Sequence, residues 1–271
     1  MGLLVRTWNL FHGNADPPER HAYLDEMIRL IVEGDPDVVC LQEVPLWALT
    51  ELEGWSGLRS FPAPAAPARL GPAPLLPAVG RALTALHHGM LRSAFTGQAN
   101  AVIAARALRP LDERRLVLND RGFRAAQARW LGLDLLARLA WAKERRVCHT
   151  VRFELEDGRG LLVANLHATS YPRDRRLADA EVLRAAVFAD SLAEPGDLLV
   201  LAGDFNVVAG RSRTLADLRD GDWGFTGFGH RVDHVLVRGA SIVRGEAWPR
   251  ARRVRGGRVL SDHAPVEVEI A

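Results

Sequence analysis

The sequence predicts an α/β fold, on three observations. An apolar run, a helical stripe and a second apolar run follow one another near the N-terminus, at 3–10, 16–34 and 37–44. Short apolar runs recur along the chain, and several end abruptly in Asn, Glu, Asp or His. Two alternating runs between residues 147 and 170 flank "EDGRG", whose Asp-Gly pair signals a hairpin turn.

The first run, "LLVRTWNL", reads as a strand. In "DPPERHAYLDEMIRLIVEGDPD", Asp16 is placed as an N-cap, prolines occupy the first helical positions and Gly34 closes the segment. Tyr23, Met27, Leu30 and Ile31 form one apolar stripe for a sheet. "DVVCLQEV" (37–44) is the second strand. Between Pro62 and Pro77 six prolines exclude a helix or an inner strand, so 56–95 reads as a surface excursion, briefly helical at "ALTALHHGML". "QANAVIAAR" (98–106) and 108–118 are the next strands. Residues 124–146 read as one helix with Trp130, Leu131, Leu135, Leu139 and Trp141 on or near one face. Its basic flanks would suit a membrane surface, but packing onto its own sheet is the preferred expectation. After the hairpin comes a helix over 173–193, with Leu177, Val182, Leu183, Ala186, Val187 and Leu192 facing inward. Strands at 197–204, 232–238 and 263–270 complete the pattern. No internal repeat and no linker is evident, so a single domain over 1–271 is expected, with an irregular excursion at about 56–146.

Composition narrows the function classes. The 271 residues carry 35 basic against 33 acidic groups, so a formal charge of +2 provides no global field for nucleic acid or an anionic membrane. All basic residues except Lys143 are arginine, a bias that reads as codon usage before it reads as phosphate recognition. Cys40 and Cys148 form no metal or disulfide pattern, and Cys40 reads as a core residue. There is no transmembrane run and no cleavable signal profile, so a cytoplasmic monomer is the expectation.

The chemistry lies where the strands stop. "LLVRTWN" ends at Asn9, "VVCLQE" at Glu43, "LLVANLH" at Asn165 and His167, and "LLVLAGDFN" at Asp204 and Asn206. In a strand alternate residues share a face, so each of the last two pairs projects to one side. "RVDHVLV" adds Asp233 and His234, and "LSDHAPVEVEI" adds Ser261, Asp262 and His263. Singly, each has a structural reading: Asp204 caps a loop, Asn206 makes an Asx-turn, Glu43 is a rim charge, and a lone histidine is hydrogen-bonded. Jointly they point to one polar pocket. Carboxylates and carboxamides without thiolates suit Mg²⁺ or Mn²⁺, and histidines beside carboxylates supply proton transfer. That combination is suited to a phosphoester hydrolase.

The set "WN" at 8–9, "LQEV" at 41–44, "NLHAT" at 165–169, "GDFN" at 203–206, "VDHV" at 232–235 and "SDHAPV" at 261–266 resembles the endonuclease/exonuclease/phosphatase (DNase I-like) superfamily. The resemblance spans nearly the whole chain in the family's order. It implies a four-layer sandwich, two packed mixed β-sheets flanked by helices, with the site at one edge. It also implies roles. Glu43 matches the principal metal-ligand glutamate, with Asn9 and Asp262 beside the metal. Asp204 matches the aspartate that orients or deprotonates water, Asn206 the amide that holds phosphate or water, and His263 the histidine beside the scissile phosphate. Asp233 matches the carboxylate that orients that histidine, and His167 the second histidine. Asn165 is expected to support the pocket, and His234 to point away.

The resemblance leaves the substrate open. Trp223, His230 and Arg231 in "GDWGFTGFGHR" would clamp a nucleotide by stacking and phosphate pairing, or the aromatics there would fill a loop core. DNA or another nucleotide phosphodiester is the first expectation. A phospholipid headgroup or phosphomonoester is the alternative, with 56–95 and 124–146 as a lid or membrane-facing surface. A catalytically silent binding module is disfavoured because every motif position is filled. A calcineurin-like phosphatase would need a "GNH" segment that this chain lacks.

Overall fold

In the computed structural model, which describes residues 2–70, 73–220 and 222–271, a strand–helix–strand unit seeds each of two sheets. The chain begins the first sheet with β1 (Leu3–Asn9), β2 (Val38–Val44), β3 (Arg59–Ala66) and β4 (Gln98–Ala104). It then builds the second with β5 (Arg109–Val117), β6 (Val147–Glu154), β7 (Gly160–His167), β8 (Leu198–Asp204), β9 (Thr226–His230) and β10 (Asp233–Arg238). It returns to the first with β11 (Ile242–Ala247) and β12 (Val266–Ile270). The strand orders are β11-β12-β1-β2-β4-β3 and β9-β10-β8-β7-β6-β5.

Each sheet has one parallel pair near its centre, β1 with β2 and β7 with β8; the other neighbours are antiparallel. Parallel neighbours require a crossover, and helices provide both. α1 (Leu24–Ile31) buries Met27, Ile28 and Ile31 against Val39 and Leu41 on the outer face of the first sheet. After α2 (Leu52–Ser56), α3 (Pro77–Thr84), α4 (His88–Phe95), α5 (Arg121–Trp130) and α6 (Leu135–Lys143), α7 (Arg176–Leu192) makes the second crossover. It lays Ala178, Val182, Ala185, Ala186 and Ala189 on the outer face of the second sheet, and α8 (Arg213–Asp220) adds Leu215 and Leu218. An alanine-rich contact lets a helix approach its sheet closely, and it leaves Leu183 and Val187, expected to face inward, exposed. The inner faces meet through Val5, Cys40, Val102, Phe153, Val163 and Val200. Helix, sheet, sheet, helix is the predicted four-layer sandwich.

The structure departs from the sequence reading in several segments. Asp16 does not cap the first helix: it pairs with Val259 in a short strand and α1 starts only at Leu24, while β9, β11 and α8 are elements the sequence reading did not place. The proline excursion opens with β3, an edge strand carrying Pro62 and Pro64. Residues two apart direct their N–H groups to the same side, so both prolines are tolerated when that side is the free edge. Pro72 of the same run lies outside the described residues. Residues 124–146 form two helices rather than one. Gly132 takes a left-handed φ of 61°, and Asp134 caps α6 by accepting from Ala137 N at 2.7 Å. The last strand starts at Val266, not 263, leaving His263 in a loop. Among the described residues no helix is long and apolar enough to cross a membrane.

Candidate active site

Parallel strands joined by a crossover finish at the same edge of their sheet. Two such pairs face each other, so Asn9 of β1, Glu43 of β2, His167 of β7 and Asp204 of β8 arrive at one end of the sandwich. Antiparallel neighbours begin at that end. Asp233 opens β10, Asp262 and His263 precede β12, and Arg146 precedes β6. Asn9 ties the sheets together: its Nδ2 donates to Asp204 Oδ2 at 3.0 Å.

Simple alternation would send Glu43 outward, beside Leu41 in the helix-facing core. A bulge between Leu41 and Val44, with φ 53° at Glu43, turns it toward the site. Its Oε2 lies 3.3 Å from His12 Nε2 and its Oε1 3.8 Å from His167 Nε2. Burial works to raise its pKa, but the charges of His12 and Arg146 and a hydrogen bond from Asn9 outweigh it, holding the carboxyl below its ordinary range. His12, Asn206, Arg231 and Ser261 share left-handed φ values, so strained backbone gathers around this site.

Asp204 depends on the glycine before it. Gly203 has φ 141°, and a Cβ there would sit 1.9 Å from Leu166 O on the paired strand. Asp204 Oδ1 accepts from Asn206 N at 3.0 Å, and Asn206 Nδ2 donates to Ala168 O at 3.0 Å. Burial, reinforced by Asp233 and Glu43 and opposed by His263 and Asn9, pushes the Asp204 pKa up to about 6.

His263 Nδ1 lies 2.8 and 3.0 Å from the two Asp233 oxygens, and its Nε2 lies 3.9 Å from Asp204 Oδ2. Burial opposes its charge, but Asp233, Asp204 and Asp262 prevail and raise its pKa to about 10. The loop is clamped in place. Arg253 Nη1 donates to the carbonyls of Leu260, Ser261 and His263 at 2.8–2.9 Å, and Ser261 Oγ donates to Asn9 O at 2.7 Å. His167 differs in charge. Burial first, then Arg146, whose Nη1 is 3.0 Å from both ring nitrogens, hold its pKa well below the usual value, so it is a neutral imidazole.

A polar cavity of about 370 Å³ opens over these groups, lined by Asn206, Asp233, Asp262 and His263 and walled by Tyr171, Arg175, His230 and Arg231. Two expected pocket residues lie elsewhere. Asn165 is wholly buried between the sheets, where Nδ2 donates to Leu41 O and Ala101 O and Oδ1 accepts from Gln42 Nε2. Trp223 packs with Phe225 against the outer core of the second sheet, and Phe228 packs against the inter-sheet core, so these aromatics fill the protein's own interior. His234 turns away from the site, its Nε2 2.9 Å from Val207 O. The sequence reading passed over His12, Arg146 and Arg253. Their signal was available only as basic residues at strand starts or after a strand end, a weak one in an arginine-rich chain.

The donors suit a hard divalent cation. Glu43 and Asp262 offer carboxylate oxygens, and the charge of Glu43 adds to burial in raising the Asp262 pKa, a repulsion that a cation would relieve. Asp204, Asp233 and His263 have ligand atoms within 4.8 Å of one another, but His263 and Asp233 are engaged with each other.

A family model described as the Endonuclease/Exonuclease/phosphatase family matches residues 7–263. None of the curated proteins matches. Among solved structures, an endonuclease/exonuclease/phosphatase from Bacteroides vulgatus aligns with a TM-score of 0.70 at 13% identity, covering 100% of this chain and 99% of that one. One from Beutenbergia cavernae DSM 12333 gives 0.66 at 17% identity, covering 99% of this chain and 71% of that one. Truncated TDP2 from Caenorhabditis elegans gives 0.63 at 13% identity, covering 100% and 97%. At such identities the structures testify to the fold, while the family match takes in Asn9, Glu43, Asp204 and His263 together. The chain therefore belongs to the Endonuclease/Exonuclease/phosphatase family, whose members are in general phosphoester hydrolases.

Proposed function

We propose that the protein is a Mg²⁺- or Mn²⁺-dependent phosphodiesterase acting on DNA or another nucleotide phosphodiester. The observation that carries this reading is the approach of Asp204 to the Asp233–His263 pair, beneath a cavity lined by Asp233, Asp262 and His263 and walled by arginines. Asn9, Glu43 and Asp262 would hold the cation, which would neutralise charge on the phosphate oxygens. Asp204 orients a water in line with the phosphorus and accepts its proton. A P–O bond to that water forms as the P–O bond to the leaving group breaks. The charged ring of His263, held by Asp233, stabilises the negative charge that develops on the phosphoryl oxygens. Asn206 and the neutral His167 offer hydrogen bonds to the same group. Arg175, His230 and Arg231 suit the anionic arm of a diester, and with Trp223 packed elsewhere Tyr171 is the aromatic wall left to face a base.

A second reading, hydrolysis of a phospholipid headgroup or phosphomonoester, draws support from the exposed apolar residues of α5 and α6. One experiment separates the two: purified protein with Mg²⁺ or Mn²⁺ against supercoiled plasmid, abasic duplex, sphingomyelin and soluble phosphomonoesters. Plasmid or duplex cleavage is expected, abolished by EDTA, restored by either metal, and reduced at least about a hundredfold by Glu43→Ala. Activity confined to monoesters or lipid overturns the nucleotide reading. No activity on any substrate, with no metal binding by calorimetry, overturns the hydrolase reading.

A further inference from the structure

The α5–α6 hairpin does not bury its apolar face. Trp130, at the end of α5, is 81% exposed, and Leu135, Leu136 and Leu139 of α6 are 70%, 60% and 58% exposed. They surround the turn at 131–134, so the tip of the hairpin is apolar. The inward side is satisfied by a small core in which Ala128, Leu133, Ala137 and Trp141 pack with Leu177 of α7. An exposed cluster of this kind on a folded surface marks an interaction site.

Charge indicates the partner. Residues 121–145 hold six basic and two acidic side chains, whereas the whole chain has a formal charge of only +2. Arg121, Arg124, Arg129 and Arg138 line one open groove between the helices. Of the neighbouring acids, Asp120 pairs with Arg184 and Glu144 with Arg146, while Asp134 caps α6 by accepting from Ala137 N. Arg124 Nε is buried there with no hydrogen-bond partner. An apolar tip continuous with an arginine-lined groove between the two helices matches an anionic bilayer, where acyl chains meet a layer of phosphates.

Position adds a second, independent argument. The chain leaves β3 at Ala66 and β5 at Val117, both beside the strand ends that carry the site, because Ala66 pairs with Gln98 and Val117 with Val147. Arg115 Nη1 on β5 donates to Pro64 O on β3 at 3.2 Å, so the two departures are neighbours. The segment leaving β3 builds α3 and α4 and exposes Leu76, Leu86 and Met90. Two insertions from the site end of the sandwich thus both present apolar side chains. Tyr171, on the wall of the site cavity, packs against the core of the α5–α6 hairpin.

We propose that the α5–α6 hairpin docks the protein onto anionic phospholipid bilayers, with Trp130, Leu135, Leu136 and Leu139 entering the interface and the arginine groove receiving lipid phosphates. Docking would bring the mouth of the site to the membrane surface, and it is independent of whether the site hydrolyses a phosphoester.

The test is co-sedimentation of the full chain with vesicles of phosphatidylcholine alone and of phosphatidylcholine with phosphatidylglycerol. Binding is expected to the anionic vesicles, weakening as salt rises. Trp130→Ser with Leu136→Ser, and separately Arg121→Gln with Arg124→Gln, should each reduce partitioning at least about tenfold with an unchanged thermal melt. Equal binding to neutral and anionic vesicles, or binding untouched by both double variants, overturns the proposal. A dimer in sedimentation velocity that Trp130→Ser with Leu136→Ser abolishes, without vesicle binding, assigns the face to a second copy instead. Duplex-DNA binding that needs the arginines but not Trp130, again without vesicle binding, assigns it to nucleic acid.

Discussion

His263 is held charged by its neighbours, against its own burial. Asp233 contributes most to that charge, so Asp233→Asn should bring the histidine pKa down from about 10 toward or below its ordinary value. The sign follows directly. At about pH 6 part of the population stays protonated and active, whereas at about pH 8.5 the ring is neutral, so the variant should lose more turnover at the alkaline end than wild type does. Parallel profiles for the two proteins would count against the electrostatic role. Asp204→Ala and His263→Ala should each lower turnover at least about a hundredfold while the circular dichroism spectrum is retained, as for removal of a base or an electrostatic stabiliser. Most of these residues were legible in the sequence because Asp, Asn and His are costly at the end of an apolar strand unless they have partners. Arg146 was not, because an arginine beside Arg145 before a strand looks like any solvated charge. Only its burial against His167 and Glu144 gives it a place in the site.

At the scale of elements, strand alternation and position along the strand carry different information. Asn165 and His167 lie on the same face of β7, as their spacing requires, yet one is sealed between the sheets and the other reaches the site. Two residues amount to roughly 7 Å of strand, enough to pass from core to cavity. Asn165→Leu would leave the Gln42 amide and the carbonyls of Leu41 and Ala101 without their partner. The expected cost is about 2–4 kcal/mol in urea unfolding, with KM for the substrate unchanged. A large KM effect at unchanged stability would return Asn165 to the substrate pocket. Helix boundaries show a similar limit. The stripe counted across 124–146 passed over "LGLD", where Gly132 and Asp134 stop one helix and cap the next. With the helix broken there, the hydrophobic side chains around the turn have no sheet to cover, and they remain in solvent.

For the whole molecule, convergence follows from topology. Each sheet contains one parallel pair, each pair ends at the same edge, and packing the sheets face to face brings the two edges together, with Asn9 donating across the gap to Asp204. The sequence by itself determined the two strand–helix–strand units, the polar strand ends and the hard-oxygen and imidazole chemistry they carry, because alternation and the cost of burying polar groups act locally. The tertiary structure alone decided that Glu43 turns inward through a bulge, that His12 and Arg146 join it, that Asn165 serves the core, and that the α5–α6 tip faces solvent. Those outcomes depend on how deeply each residue lies between two packed sheets and on which surfaces remain uncovered, and both are set by contacts between segments far apart in the chain.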